Sequence, residues 1–349
     1  MTEQSRPVPE PADIVHGGRE RGAGLGRPSS PGSRRRLTLI KTAIGVGLLA
    51  GLLVWNDNGR KLLEVLSGFQ PEYIVALFAI AFALVGVSSV KWSLFLRQRG
   101  HAITQARLFC LYLVGYFFNN FIPSSVGGDL ARIYILGRQM SSHSESAASV
   151  FLERGTGVFG LVVLAALVGL FNQRILTNPI IALTIVAGLL GCTTALVLFY
   201  RPAVCAAAVG MIARLPGLRR VADRLDKLIA DIGYFRDQYR LLALSLAYSF
   251  AFHLLAGLNV YVSCLSIGFE PAFLDILVIT PVILLLTMIP VSPNNIGWWE
   301  WCFSILLIDA GASAAEGLAV GLTIRAVNLC VSLIGGLLFL SERHDPKVP

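Results

Sequence analysis

The feature that most constrains this fold is a polar, glycine-rich break inside an apolar region, at residues 123–132. It reads Pro-Ser-Ser-Val-Gly-Gly-Asp-Leu-Ala-Arg, and a second break of the same kind occupies residues 289–300. Irregular backbone at membrane depth is tolerated only where it is buried in protein or lines a wet cavity. Interrupted segments at corresponding places in the two halves of a membrane chain indicate a binding site.

The apolar runs around these breaks are long enough to cross a membrane. Only 14% of the residues are charged and 55% are hydrophobic, whereas soluble domains carry about 25% charged residues. A helix needs about 20 apolar residues to span the hydrocarbon core. The chain is therefore predicted to be an all-α polytopic membrane protein with about six full spans, at 37–55, 73–96, 148–170, 179–199, 241–267 and 315–340.

Three segments outside the spans are predicted from their composition. Residues 1–36 are rich in Pro, Gly and Arg and are expected to form a disordered tail, with a short second tail at 341–349. The transmembrane domain covers 37–340, and the loop 200–240 inside it is amphipathic, with a helix expected at 214–240. We expect this helix to lie on the inner leaflet. Docking of a partner protein or of anionic lipid on it is the alternative.

Lysine and arginine set the orientation of such a chain. They are concentrated in the first tail, around residues 97–107, in the loop 200–240 and after residue 340. Both termini are therefore predicted to be cytoplasmic. The net charge of +8 belongs to the flanks of the spans, so it does not indicate a nucleic-acid partner.

The two interrupted regions have lengths that restrict their path. Residues 106–136 begin and end on the cytoplasmic side, and 31 residues are too few for two spans and a turn at about 1.5 Å per residue. This predicts a re-entrant helical hairpin that turns near Pro123. Residues 271–310 begin and end outside, and either two short spans or a second re-entrant hairpin turning near Pro290 fits them. The hairpin is preferred.

Each hairpin lies between two full spans, and the two units have the same order with opposite orientation. That layout predicts an inverted repeat. The charges agree with it, because Asp129 precedes Arg154 by 25 residues and Glu300 precedes Arg325 by the same number.

Ionisable groups within spans are costly and are candidates for function. Arg154 is predicted to pair with Asp129, and Arg325 with Glu300. An arginine that its acid does not neutralise offers a bidentate clamp for phosphate. The alternative is that Glu153 and Arg154 mark the cytoplasmic interface and snorkel, as Lys91 is expected to do.

The glycine pair of the first break permits a close backbone approach. A helix that starts just after it, at Asp129, would direct its N–H groups towards the loop and favour an anion. No metal-ligand spacing, P-loop or nucleophile elbow occurs, so we expect no cofactor, no metal and no enzymatic activity. The predicted substrate-binding residues are Asn120, Pro123, Ser124, Gly127, Gly128, Asp129, Arg132, Glu153, Arg154, Pro290, Asn295, Glu300 and Arg325.

The run from Gly115 to Arg132, followed by Glu153-Arg154, resembles the signature of the lysylphosphatidylglycerol synthase transmembrane-domain family of flippase-like proteins. The run from Ile289 to Glu300 is similar to the second motif of that family. The resemblance covers about residues 37–340 and implies an integral membrane module that binds or flips a lipid. Full-length synthases add a cytoplasmic aminoacyl-transfer domain, which we expect this chain to lack, since it ends nine residues after the last span.

These features together predict a lipid translocase of the bacterial inner membrane. Its substrate would be an anionic or isoprenoid-type lipid whose phosphate is held by Arg154 and Arg325. The alternative is a membrane subunit that presents a lipid acceptor to a separate transferase. A homo-oligomer or a partner transferase is left open.

Overall fold

Helices make up all the regular secondary structure in the described part of the chain. A computed structural model describes residues 31–54, 58–121, 127–215 and 218–342. Apolar segments become helices in a membrane because a helix satisfies its own backbone hydrogen bonds. The helices are α1 Pro31–Val54, α2 Asn58–Ser67, α3 Tyr73–Gln98, α4 Gln105–Phe121, α5 Gly127–Gln139, α6 His143–Phe171, α7 Gln173–Leu176, α8 Pro179–Tyr200, α9 Pro202–Ala213, α10 Arg219–Gly233, α11 Tyr239–Leu265, α12 Phe273–Thr287, α13 Trp298–Leu306 and α14 Ala314–Glu342.

The long helices confirm an all-α, multi-pass integral membrane protein. Helices α3, α6, α8, α11 and α14 are apolar and long enough to cross a membrane, with 22 to 29 residues each. They coincide with five of the six predicted spans. The remaining prediction, 37–55, falls on α1, which starts six residues earlier at Pro31 and is followed by α2 at an angle of 77°.

The two interrupted regions form helices of reduced length. Helix α4 has 17 residues and α5 has 13, and the second region holds α12 with 15 and α13 with nine. At 1.5 Å per residue each is shorter than the hydrocarbon core of about 30 Å. Helix α4 packs on α5, and α12 packs on α13. The interruptions are where the sequence predicted them, whereas re-entry and the inverted repeat stay predictions.

The predicted loop 200–240 contains two helices of different character. Helix α10 is amphipathic, as expected, but it covers only Arg219–Gly233. The preceding α9, Pro202–Ala213, is apolar on every face and was not anticipated. Helix α10 is held on the bundle through Asp231, which accepts a hydrogen bond from Arg99 Nη2 at 2.8 Å.

Glycines allow two of the closest helix contacts. A Cβ atom on Gly335 of α14 would lie 1.9 Å from the carbonyl oxygen of Leu113 on α4. A Cβ atom on Gly297, in the second break, would lie 2.0 Å from the carbonyl oxygen of Gly45 on α1. Small residues let helix backbones approach in membranes. Helix α14 therefore covers α4 directly, and α1 covers the second break.

We expect Gly335→Ala to destabilise the protein by about 1–3 kcal/mol, because the added methyl group overpacks the contact between α4 and α14. The matched control is Gly86→Ala in α3, where no atom lies within 4 Å of the new methyl group. It should be neutral or stabilising by up to about 1 kcal/mol. Thermal unfolding of both variants in detergent measures the difference, and equal stability would contradict this packing.

Candidate functional site

Five ionisable side chains from α3, α5 and α6 form one cluster inside the bundle. The Oδ1 atom of Asp129 accepts hydrogen bonds from Arg132 Nη2 at 2.5 Å and from Arg154 Nη2 at 2.9 Å. Glu153 lies further from its basic partners, with Oε1 at 3.8 Å from Lys91 Nζ and Oε2 at 3.7 Å from Arg132 Nη2. Three basic side chains thus surround two carboxylates.

Most of this cluster is closed off from the surface. Lys91, Arg132 and Glu153 are 3%, 1% and 5% exposed. The side chain of Arg154, by contrast, is half exposed. Buried charges require partners because desolvation is expensive, and Arg154 is the member of the cluster that still reaches an open space.

That open space is a polar cavity of about 210 Å³ between five helices. Arg154 is the one charged residue in its wall. The other groups are hydroxyls, amides and aromatic rings that offer hydrogen bonds or stacking. The lining residues are Ser88, Tyr112, Tyr116, Asn119, Asn120, Arg154, Phe252 and Asn328.

Aromatic rings hold Arg132 behind the cavity. Its guanidinium carbon lies 4.1 Å from the ring centre of Tyr112 and 5.0 Å from that of Trp92. Such contacts stabilise a cation in a desolvated site. Among the described residues, Arg132 Nη1, Tyr112 Oη and Glu153 Oε2 have no hydrogen-bond partner. The cluster therefore retains unused polar atoms.

The first break brings α5 against α4. A Cβ atom on Gly128 would lie 2.1 Å from the carbonyl oxygen of Gly115, so only glycine fits there. The N–H of Gly128 donates to Asn119 Oδ1 at 2.7 Å. Helix α5 starts at Gly127 rather than at Asp129, so one of its first N–H groups is occupied by Asn119 and is not free for an anion.

The second break is organised by Glu300, which is 1% exposed. Its carboxylate accepts hydrogen bonds from Arg325 Nε and from the N–H of Gly297. The two terminal nitrogens of Arg325 donate to the carbonyl oxygens of Asn294 at 3.3 Å and Asn295 at 3.2 Å. Both asparagines have φ of 51°. Arg325 therefore fastens an unusual turn, and its donors are satisfied within the protein.

One side chain connects the two breaks. Asn294 Nδ2 donates to the carbonyl oxygen of Asn120 at 3.3 Å. Asn120 in turn lines the cavity. The second break thus contacts the wall of the cavity through Asn294, whereas Arg325 is absent from the lining residues and binds the backbone of the same turn.

The predicted residues separate into these groups. Both predicted ion pairs are confirmed, Asp129 with Arg154 and Glu300 with Arg325. Asn120 and Arg154 line the cavity, and Gly127, Gly128, Asp129, Arg132 and Glu153 lie beside or behind it. Asn295, Glu300 and Arg325 belong to the second break, where Pro290 is exposed on the surface. Pro123 and Ser124 lie outside the described residues.

One expectation and one alternative differ from the structure. Lys91 was expected to snorkel, but it is buried, and the alternative in which Glu153 snorkels does not hold, because Glu153 is buried as well. The wall residues Ser88, Tyr112, Tyr116, Phe252 and Asn328 were missed. Ser88 lies three residues before Lys91 in the same span, and this spacing could have indicated a polar face on α3.

The described residues contain no group of three or more His, Cys, Asp or Glu side chains that is arranged to hold a metal ion.

The two arginines predict different costs of removal. Arg325→Ala leaves Glu300 buried without its cation, which should destabilise the protein by about 3–5 kcal/mol. Arg154→Ala leaves Asp129 still paired with Arg132, so its effect on stability should be smaller, roughly 1 kcal/mol. Thermal unfolding in detergent compares the two. The double variant Glu300→Gln/Arg325→Ala should recover part of the loss, and a similar loss in both single variants would refute the distinction.

Comparisons with known proteins agree with the two motifs. A family model described as the lysylphosphatidylglycerol synthase TM region matches residues 38–336. A UPF0104 membrane protein of Pyrococcus horikoshii is 24% identical over 86% of this chain and 96% of its own length. A UPF0104 membrane protein of Methanothermobacter thermautotrophicus is 25% identical over 83% of this chain and 90% of its own length. No solved structure matches the chain.

Proposed function

We propose that this chain, which belongs to the family of lysylphosphatidylglycerol synthase transmembrane regions, is a translocase that binds the anionic headgroup of a membrane lipid at Arg154. The observation that carries the proposal is the half-exposed guanidinium facing a polar cavity inside a multi-pass membrane protein. A guanidinium is suited to phosphate because it can donate two parallel hydrogen bonds. The hydroxyls and amides of the cavity wall suit a hydroxylated headgroup.

The excess of basic groups supports an anionic ligand. The cluster holds three basic groups and two acids, so a third negative charge is needed to balance it when every basic group is protonated. Unbalanced charge inside a membrane protein is costly. A phosphate in the cavity would supply that third negative charge next to Arg154.

Asp129 provides a way to release the ligand. It bonds Nε and Nη2 of Arg154 at 3.3 and 2.9 Å and Arg132 at 2.5 Å. A phosphate that takes over Arg154 leaves Asp129 paired with Arg132, and the return of Asp129 to Arg154 displaces the phosphate. Arg325 already donates to Glu300 and to two carbonyl oxygens, so it cannot exchange one partner for a phosphate in this way. We therefore assign it to the second break and not to the ligand.

Each of the two units consists of one interrupted region and its two flanking spans. Movement of one unit against the other would expose the cavity to each side of the membrane in turn. The contact between Asn294 and Asn120 lies where the two units meet, so it would break and re-form during this motion. In this proposal the lipid crosses intact, no bond is cleaved, and both termini of the chain lie on the cytoplasmic side of the cell membrane.

We expect Arg154→Ala to lose a co-purified anionic lipid. Removing one partner of a desolvated charge pair costs about 2–5 kcal/mol, which corresponds to a loss of affinity of about thirtyfold or more. Native mass spectrometry of the full chain in mild detergent measures the retained lipid. Arg174→Ala is the control, because Arg174 is exposed on α7, outside the cavity wall.

Transport is the decisive measurement. Arg154→Ala reconstituted in vesicles should fail to move a fluorescent anionic phospholipid between leaflets, whereas Arg174→Ala should move it at the wild-type rate. Unchanged transport by a folded Arg154→Ala protein would overturn the proposed function.

A second candidate is a subunit that presents its lipid to a separate transferase. The observation that favours it is α10, which is fixed to the bundle by Asp231 and exposes basic side chains, namely Arg219, Arg220, Arg224 and Lys227. Replacing these four residues by Glu should release a co-purified transferase without loss of the bound lipid. Leaflet-to-leaflet transport by the purified chain alone would decide against this candidate.

A further inference from the structure

We propose that Lys91 takes up one proton when an anionic lipid binds, so that lipid and proton occupy the protein together. The inference rests on the proposed headgroup site at Arg154 and adds what drives the transport. It follows from the geometry and the charge count of the buried cluster.

Lys91 is surrounded by protein and lies one helical turn from the cavity wall, outside its lining residues. It is 3% exposed, and its Nζ atom lies 3.8 Å from Glu153 Oε1. A Cβ atom on Gly157 would lie only 3.2 Å from Nζ, so α6 closes over the amine. Ser88, one turn earlier on α3, belongs to the cavity wall. The amine is thus close enough to sense a charge in the cavity and too enclosed to reach the membrane surface.

The charges of the other four groups cancel. Arg132 and Arg154 balance Asp129 and Glu153, and Lys91 is the fifth group. Residues 122–126, between α4 and α5, carry no ionisable side chain. As an ammonium, Lys91 would leave one positive charge uncompensated in a desolvated site, which is expensive. Lysine can give up its proton on burial, whereas arginine cannot. The empty site is therefore neutral when Lys91 is an amine.

A bound phosphodiester adds one negative charge to this neutral site. A proton from solvent then binds the lone pair of Lys91 Nζ and restores neutrality, and no other bond forms or breaks. Both the empty and the loaded site are neutral. Transport of lipid together with a proton would accordingly respond to a pH gradient and not to the membrane potential.

The remaining titratable groups around Lys91 do not replace it. Tyr112 and Tyr116 come from α4, Asp129 and Arg132 from α5, and Glu153 and Arg154 from α6, with His253 from α11. Both carboxylates face cations. A neutral His253 satisfies its contact by donating from Nε2 to the carbonyl oxygen of Gly157, at 2.9 Å. Lys91 is therefore the group whose positive charge is unfavourable in the empty site and favourable once the phosphate is bound.

The experiment counts protons during binding. Dioctanoyl phosphatidylglycerol is titrated into the detergent-solubilised full chain by calorimetry, in pairs of buffers with different ionisation enthalpies. The phosphodiester keeps its charge from neutral to alkaline pH, so any proton taken up binds to the protein. We expect uptake to rise with pH towards one proton per lipid. Affinity should be greatest at the lower pH and should fall by up to about tenfold per pH unit as pH rises.

Variants identify the group that takes up the proton. Lys91→Arg keeps a cation that does not deprotonate, so it should bind lipid with no proton uptake and with an affinity independent of pH. Lys91→Met should also show no uptake, and it serves if the arginine variant does not fold. His253→Gln is the control and should keep the wild-type proton count.

Three results would overturn the inference. Lipid binding that depends on Arg154 but takes up no proton at any pH would remove the coupling and leave the proposed function standing. Proton uptake that persists in Lys91→Arg or Lys91→Met would assign it to another group. Absence of any anionic-lipid binding by the wild type would overturn the proposed function and the coupling together.

Discussion

The carboxylate of Asp129, shared by two arginines, is the interaction on which the rest of the site depends. It joins α5 to α6 through Arg154 and also pairs with Arg132 on its own helix, inside a membrane protein where unpaired charge is costly. The second acid, Glu153, lies further from its basic partners, at 3.7 Å from Arg132 and 3.8 Å from Lys91. The two acids match the two arginines in number, so Lys91 is the one basic group of the cluster without a matching acid.

The two halves of the chain use the same sequence spacing for different purposes. In the second half, Glu300 is nearly inaccessible to solvent. Arg325 donates hydrogen bonds to that acid and to the carbonyl oxygens of Asn294 and Asn295. In the first half, Arg154 faces an open cavity. One pair holds a turn and the other borders a cavity, so equal spacing in the sequence does not imply equal surroundings.

The sequence was sufficient for the long membrane-spanning helices and the two ion pairs, because hydropathy and residue spacing can be read directly from the chain. Long apolar runs placed the spans, and the 25-residue separations identified Arg154 and Arg325 with their acids. The depth of Lys91 was not predictable in this way. It lies towards the end of α3, where snorkelling is the usual outcome. However, Phe95 packs on Phe235 and Arg99 binds Asp231 beyond it, and this cover comes from residues about 140 positions away. The residues of the cavity wall are common ones and form no recognisable sequence motif.

The size of the cavity has a consequence for what the protein can distinguish. About 210 Å³ accommodates a headgroup but only a small part of a whole lipid. On the proposed function, the hydrocarbon chains therefore remain in the surrounding bilayer while the headgroup crosses through the protein. The protein would then not discriminate between lipids that differ in chain length, branching or saturation. Because the hydrocarbon chains move through the bilayer during each transport cycle, the viscosity of the bilayer would contribute to the turnover rate.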